Sequence, residues 1–245
     1  MRLSGRGLVI IMALVGLMAV FATDQVVPAS SAHQAQIRVW LAARAAGITA
    51  YLLLTVQVTL GLVLAHPTNQ TTWRLGKRLY PWHANAWIFV LAFLGAHVVS
   101  IVADPYAGVG VGGALVPGLS SYRSSAVALG TLGLYALLVT GLTARYTRSL
   151  PAGLWLRIHR LSLGVFVLAW LHGVLSGTDT AGLLPVYLAT GAAVLVASAY
   201  RYWIARRSRS VAAGPASAPA SVSPRTLLPH PDRRLEPVPQ EVTTR

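Results

Sequence analysis

The chain has 245 residues, of which 55% are hydrophobic and only 11% are charged, and its mean hydropathy is +0.60. This number of charged side chains is too small to cover the surface of a water-soluble globule of this length. The composition therefore excludes a soluble globular protein and indicates an integral membrane protein. The sequence has no cysteine. This excludes disulfides, thiolate metal sites, iron–sulfur clusters and covalent c-type haem attachment, so any metal must be held by histidine.

Six apolar stretches follow one another along the chain, and most are close to the ~20 residues that a helix needs to cross a membrane. They cover roughly residues 8 to 22, 38 to 64, 82 to 103, 124 to 144, 158 to 177 and 182 to 204. The sequence therefore predicts an all-α polytopic membrane protein with a bundle of six spanning helices. The first stretch is short, and with Arg2, Arg6 and the "VFA" before Thr23 it also fits a cleavable signal peptide.

Composition divides the chain into three parts. Residues 1 to 37 hold the first apolar stretch and an outer loop, and residues 38 to 204 form the main membrane-spanning domain. Residues 205 to 245 are rich in Pro, Ala, Ser and Arg and show no apolar periodicity. We predict that this tail is disordered and solvated with no specific role, the alternative being that its arginines lie against anionic membrane lipid.

The basic residues alternate between the loops. One set of loops and the tail contain Arg74, Lys77, Arg78, Arg145, Arg148, Arg206, Arg207 and Arg209. The opposite loops contain Asp24, Asp104 and Asp179. Positive charge marks the cytoplasmic side of a membrane protein, so both termini are predicted to be cytoplasmic in a multi-pass protein of the cell membrane. The formal net charge of +14 thus reports topology, and we expect no nucleic-acid partner.

One glycine motif lies between two spanning stretches. The sequence "GVGVGG" from Gly108 to Gly113 has the spacing of a dinucleotide site. That spacing has meaning only between a strand and a helix, which the surrounding sequence does not supply. We interpret the segment as a flexible loop outside the cytoplasm.

Four histidines lie within two of the apolar stretches. The segment "YPWHANAWIFVLAFLGAHVVS" places His83 and His97 fourteen residues apart, and "WLRIHRLSLGVFVLAWLHGVLSGTDT" places His159 and His172 thirteen residues apart. At a rise of ~1.5 Å per residue these steps are ~21 and ~20 Å, which fit inside a ~30 Å hydrocarbon core. The two helices run in the same direction, so His83 should share a level with His159, and His97 with His172. The sequence predicts two stacked histidine pairs.

The angular positions of the histidines differ between the two helices. At ~100° per residue, His83 and His97 lie ~40° apart around their helix, whereas His159 and His172 lie ~140° apart. The fifth helix must therefore be tilted or locally distorted, or its two histidines must approach their ligand from different sides. The sequence does not choose among these possibilities.

The histidine spacing resembles that of a known family. A helix with His-x13-His followed two helices later by His-x12-His resembles the transmembrane domain of ferric reductases and NADPH oxidases. The segment "LRIHRLSLGVFVLAWLHG" is also similar to the haem-binding membrane subunit of the bacterial methionine sulfoxide reductase system. The resemblance covers roughly residues 38 to 204. It implies two b-type haems (heme b), the inner held by His83 and His159 and the outer by His97 and His172.

The resemblance also implies an oxidoreductase component that passes single electrons across the membrane. The ferric reductases and oxidases continue into flavin and nicotinamide domains, whereas here only the Pro- and Ser-rich tail follows. The expected donor is therefore a cytoplasmic flavoprotein reductase or quinol. The expected extracytoplasmic acceptors are ferric complexes first, then a reductase partner, and then oxygen.

Haem propionates need cationic partners. Arg44 lies about six residues into the second apolar stretch, where an arginine is costly unless it is paired. It either lies near the propionates of the outer haem or extends its charge to the interface. For the inner haem the available arginines are Arg74, Arg78, Arg157 and Arg160.

Other interpretations of the histidines remain open. They could fill polar niches between helices, or serve a single-haem membrane anchor subunit of a periplasmic reductase. A zinc site is disfavoured because no carboxylate or cysteine shares either level. A proton- or ion-coupled transporter is disfavoured because such proteins usually keep an acidic residue in the membrane, whereas all six acidic residues lie in loops or the tail.

The predicted topology can be tested with reporter fusions. Alkaline phosphatase is active only outside the cytoplasm, so a fusion after Arg206 should be inactive and a fusion at Gly113 should be active. Phosphatase activity in intact cells, normalised to the amount of fusion protein, measures the difference. The reverse pattern would place both termini outside and exchange the inner and outer histidine levels.

Overall fold

All regular secondary structure in the described part of the chain is helical. The computed structural model describes Ile10, Leu14, Met18, Phe21 and residues 31–65, 70–151 and 153–212. The helices are α1 (Ala32–Leu64), α2 (Gln70–Ala103), α3 (Gly110–Leu115), α4 (Ser124–Arg145), α5 (Leu154–His159), α6 (Ser162–Ser176) and α7 (Thr180–Ala212). Two 3-10 turns, Pro105–Ala107 and Thr147–Ser149, lie after α2 and α4. The predicted all-α class is confirmed for these residues.

Within the part of the chain that the structure describes, five helical segments are long and apolar enough to cross a membrane. They are Ile37–Leu64, Gly76–Ala103, Ser124–Arg145, Leu154–Ser176 and Thr180–Ile204. These segments coincide with the second to sixth predicted stretches, so five of the predicted spans have the length and apolarity of membrane helices. The first predicted helix at residues 8 to 22, with its possible signal peptide, lies outside the described residues apart from four positions. Residues 213–245 of the predicted tail also lie outside them.

Several helices are longer than the apolar stretches that predicted them. Helix α1 begins at Ala32, α2 begins at Gln70 and α7 continues to Ala212. Hydropathy detects only the part of a helix that suits hydrocarbon, whereas backbone hydrogen bonding continues through its polar ends. The first eight residues assigned to the tail, 205 to 212, are therefore helical.

Helix α1 is the central element of the bundle. It packs along α2 and also contacts α6 and α7, while α4 packs against α5 and α6. Its Tyr51 ring stacks on Phe166 of α6 with centroids 6.1 Å apart and lies 5.4 Å from the ring of Tyr187 of α7. The Tyr51 hydroxyl is hydrogen-bonded to the Thr190 hydroxyl. The buried core is Tyr51, Leu54, Val58, Leu62, Val90, Val165, Phe166, Tyr187 and Val194.

The interpretation of the glycine motif as a loop is wrong for most of its length. Only the first two residues of the motif precede α3, which begins at Gly110. The last two carbonyls of α3 accept hydrogen bonds from Thr131, at 3.0 Å, and from the Tyr135 hydroxyl, both on α4. A helix end leaves such carbonyls unpaired unless a neighbour supplies donors. These donors stabilise a glycine-rich helix that its composition disfavours.

The contact between α3 and the following loop depends on one glycine. A Cβ atom added at Gly113 would lie 2.9 Å from Ser120 Cα, which is main chain and cannot move alone. We expect Gly113→Ala to lower the free energy of unfolding by about 1–3 kcal/mol through overpacking. The control is Gly112→Ala, whose Cβ would meet only the flexible Leu119 side chain, at 3.0 Å.

Thermal unfolding of the two variants in detergent measures the difference. The control should change stability by no more than about 0.5 kcal/mol. If both substitutions were equally tolerated, the close approach of α3 to the Ser120 main chain would be wrong.

Candidate functional site

The structure brings the four predicted histidines together as two pairs. His83 of α2 and the last residue of α5, His159, have ring centroids 6.0 Å apart and planes inclined by 87°. His97 of α2 and His172 of α6 have centroids 6.3 Å apart and planes inclined by 73°. We call His83 and His159 the inner pair, and His97 and His172 the outer pair. These are the pairs that the sequence placed at common levels.

A break in the fifth predicted span lies between its two histidines. Helix α5 ends at His159, and the Leu161 amide then donates to the Ile158 carbonyl at 2.9 Å, three residues back. A turn of this type rotates the chain by about 120° per residue, compared with about 100° in an α-helix. The extra rotation reduces the ~140° mismatch between His159 and His172. A local distortion was among the possibilities that the sequence left open.

Three of the four imidazoles donate to a main-chain carbonyl of a neighbouring helix. The Nδ1 atoms of His97, His172 and His83 lie 2.7, 2.8 and 3.2 Å from the carbonyl oxygens of Ala43, Ala126 and Gln57. A carbonyl oxygen can only accept, so each of these Nδ1 atoms carries the proton. When the ring is neutral, this bond selects the tautomer whose Nε2 has a free lone pair. Each of these three rings could then offer its Nε2 lone pair to a partner.

The inner pair has less complete hydrogen bonding. His159 Nδ1 and Gln57 Oε1 are both buried and have no hydrogen-bond partner. The Gln57 side chain donates instead to the His83 main-chain carbonyl at 2.7 Å. The Trp155 ring lies 5.9 Å from the His159 ring. Sequence reasoning found the histidines but missed Gln57, because a single glutamine in an apolar stretch carries no spacing signal.

A cavity opens beside the outer pair. Its volume is about 460 Å³, and both His97 and His172 line it. Most of its remaining lining is apolar, and its polar residues include Trp40, Arg44, Tyr122, Thr178 and Asp179. Apolar clefts of about 300–1,000 Å³ with a few placed polar groups are typical of small-molecule and cofactor sites.

Arg44 is paired at the outer end of this cavity. Its guanidinium forms an ion pair with Asp179, donates to the Thr178 hydroxyl at 2.7 Å and lies 4.3 Å from the centre of the Trp40 ring. The sequence left open whether Arg44 lies near the propionates of the outer haem or extends its charge to the interface, and the haem role stays a prediction. Its contacts with the short segment between α6 and α7 hold it beside the outer pair, and its partner Asp179 was not foreseen.

The arginines considered for the inner pair are less engaged. Arg78, Arg157 and Arg160 are exposed. The side chain of Arg74 lies outside the described residues. The structure therefore singles out none of these side chains as a partner for an anionic group near the inner pair.

The histidine pairs offer only two protein ligands each. Among the residues that the structure describes, no group of three or more His, Cys, Asp or Glu side chains could hold a metal ion. A bare ion between two imidazoles would remain under-coordinated. A metal at either pair would therefore need further ligands from outside these residues.

Comparison with known proteins does not add to this description. No protein-family model matches the sequence, and searches of curated proteins and of solved structures also give no match. The resemblance in histidine spacing stays a prediction, and a functional proposal has to rest on the geometry of the chain.

The ion pair between Arg44 and Asp179 is asymmetric in burial. The arginine side chain is 16% exposed and the aspartate side chain is 58% exposed. Removing the aspartate charge leaves a mostly buried cation without its counter-charge, so Asp179→Asn should lower the free energy of unfolding by about 1–2 kcal/mol. The double variant Arg44→Met with Asp179→Asn should recover most of this loss, because no charge then remains.

Unfolding of these variants in mixed detergent micelles measures both values. Arg44→Met alone is the control for loss of packing. If Asp179→Asn were as stable as the parent protein while Arg44→Met was destabilised, the ion pair would not be the interaction that holds Arg44.

Proposed function

We propose that the chain is a di-haem b-type cytochrome that transfers electrons across the cell membrane. The observation that carries this proposal is the presence of two facing histidine pairs at two levels of one helical bundle. His83 and His159 would hold the inner haem, and His97 and His172 the outer haem. When bound, each iron would accept and release one electron.

The spacing of the rings supports this assignment. Imidazole nitrogens bond to metals at about 2 Å, and a ring centre lies about 1.1 Å beyond the nitrogen, so two rings on opposite sides of one ion have centroids about 6.3 Å apart. The observed separations are 6.0 and 6.3 Å. A planar macrocycle would supply the four ligands that the protein lacks. With both histidines of a pair holding the iron, no position would remain for oxygen, which suits electron transfer better than oxygen binding.

The protein's own contribution is to keep the ligands neutral and in position. The carbonyls of Ala43 and Ala126 orient the outer imidazoles and select the tautomer whose Nε2 is free, and the apolar surroundings favour the uncharged ring. Val165 and Phe166, which follow the inner level along α6, are buried in the core. These apolar side chains exclude water from the region between the levels, and a low dielectric helps to set the potential of a bound iron.

Arg44 is the side chain best placed to bind a propionate of the outer haem. A guanidinium has five N–H donors, and Thr178 and Asp179 engage only part of them. The side chain also lines the cavity that contains the outer pair. We therefore assign Arg44 to the outer cofactor, with Asp179 holding its orientation.

The direction of transfer follows from the charges of the loops. The arginine-rich loops favour a cytoplasmic position for both termini and for the inner pair. The donor is then a cytoplasmic flavoprotein reductase or quinol, and the acceptor is extracytoplasmic. Ferric complexes come first among the acceptors and a reductase partner second.

A second candidate function has an observation in its favour. The cavity of about 460 Å³ is lined by the outer pair, and neither His83 nor His159 is among its lining residues. A single haem at the outer pair would suit a membrane anchor subunit of a periplasmic reductase. The inner histidines would then fill a polar niche between helices.

Haem content distinguishes the two candidates. Protein purified from haem-replete cells should contain about two b-type haems per chain by pyridine haemochrome assay. His83→Ala and His159→Ala should each remove the inner haem, and His97→Ala and His172→Ala the outer haem, because each iron depends on its own two axial ligands. His230→Ala, in the tail, is the control and should keep both haems.

Electron flux tests the order of the two levels. In inverted vesicles supplied with a reduced flavoprotein, His97→Ala should still show reduction of the inner haem, whereas His83→Ala should show no transfer to the outer haem. A colourless parent protein would contradict the haem proposal altogether. A parent protein with one haem that is unaffected by His83→Ala would support the single-haem anchor.

A further inference from the structure

The carbonyls that accept from the histidines have a fixed sequence relation to glycine. The residue four positions after the acceptor is glycine in all three bonded cases: Ala43 and Gly47, Gln57 and Gly61, Ala126 and Gly130. In an α-helix the amide of that residue already bonds to the same carbonyl. Its Cα–Cβ bond points back toward the carbonyl, because side chains tilt toward the helix N-terminus. A Cβ atom at this position would therefore block an imidazole ring of the neighbouring helix from reaching the carbonyl oxygen.

The distances show how little space these glycines leave. A Cβ atom at Gly47 would lie 2.7 Å from His97 Nδ1, and one at Gly130 would lie 2.7 Å from His172 Nδ1. Both values are shorter than any ordinary Cβ contact. At Gly61 the nearest ring atom would be 3.2 Å away, and the hydrogen bond there is also the longest of the three. The closer the imidazole ring lies to the glycine, the shorter its hydrogen bond to the carbonyl is.

The fourth histidine lacks both the glycine and the hydrogen bond. His159 Nδ1 is buried and has no hydrogen-bond partner by distance and angle, although the Thr140 main chain lies beside it. The residue four positions after Thr140 is Ala144. Both lie in α4, and the tilt of helical side chains directs the Ala144 methyl group toward the Thr140 carbonyl, as a Cβ atom at each of the three glycines would be directed toward its own acceptor.

We propose that Gly47, Gly61 and Gly130 are positioning residues for the histidine ligands, and that Ala144 makes the inner pair chemically different from the outer pair. This inference rests on the proposed haem function. A hydrogen bond from Nδ1–H raises the basicity of an imidazole ligand. A more basic ligand stabilises ferric iron and lowers its reduction potential. The outer site has two such ligands and the inner site has one.

Substitutions in both directions test the inference in the haem-loaded protein. Gly47→Ala and Gly130→Ala should push the ring from its carbonyl, weaken haem binding at the outer site by about 10-fold or more and raise the potential of outer haem that remains. The inner haem should not change. Gly141→Ala is the control in α4, because its Cβ would make only an ordinary contact with Trp87 at 3.9 Å.

Ala144→Gly is the variant with the opposite expected effect. It opens the path from His159 Nδ1 to the Thr140 carbonyl, so it should lower the potential of the inner haem and leave the potential of the outer haem and the haem content unchanged. Because it adds an interaction, the test stays decisive even if the two glycine variants fold poorly.

Haem titration, redox titration followed in the visible bands and the low-spin EPR spectrum measure these effects. The expected result is a change in affinity, potential and largest g value at one level only. The inference is overturned if Ala144→Gly leaves the inner potential and EPR signal unchanged, or if well-folded Gly130→Ala keeps the parent affinity and potential. A parent protein that binds no haem in the same titration would instead reject the proposed function.

Discussion

A histidine between membrane helices has to satisfy a polar nitrogen where no water is present, and the arrangement of the bundle follows from that requirement. The available acceptors are helix carbonyls, which already bond within their own helix but have a second lone pair. A ring can reach that lone pair only where the next turn carries no side chain. Helix α2, which carries His83 and His97, lies along α1, and α6, which carries His172, lies along α4, where glycines expose the carbonyls. Helix α5, which carries His159, also lies along α4, but Ala144 stands there in place of a glycine.

The two halves of the bundle repeat this arrangement with one difference in register. On α1 the two acceptor carbonyls belong to Ala43 and Gln57, which are fourteen residues apart. On α4 the acceptor Ala126 and Thr140, whose main chain lies beside His159, are also fourteen residues apart. The histidines are fourteen residues apart on α2 but thirteen residues apart across α5 and α6. The missing residue is about 1.5 Å of helix. The tight turn after His159 rises about 2.0 Å per residue and recovers part of that length, yet His159 Nδ1 still has no partner.

The sequence predicts those features of the structure that are set within a single helix, such as its apolar length and the spacing of its histidines. Six apolar stretches and the two histidine levels follow from hydropathy and helical rise. The described residues contain five helices that match the second to sixth stretches, with His83 beside His159 and His97 beside His172. Features that depend on the register between helices could not be predicted in this way. They include the partner of Arg44, the carbonyls behind the rings and the donors that allow α3 to form, because packing against a neighbour decides each of them.

The difference between the two levels matters for an electron that moves outward. If the proposed function holds, His159 lacks the Nδ1 hydrogen bond that would lower the reduction potential of its iron, so the inner haem has the higher potential of the two. A higher potential favours reduction of the inner haem by a cytoplasmic donor. It opposes the next step, electron transfer from the inner haem to the outer haem. The levels are ~21 Å apart in a ~30 Å core, so an electron crossing between them passes about two thirds of the membrane potential. With the inside negative, this supplies about 1.5 kcal/mol for each 100 mV. An inner ligand without an Nδ1 hydrogen bond is therefore compatible with outward electron transfer in an energised membrane. The membrane potential offsets the unfavourable difference in reduction potential between the inner and the outer haem.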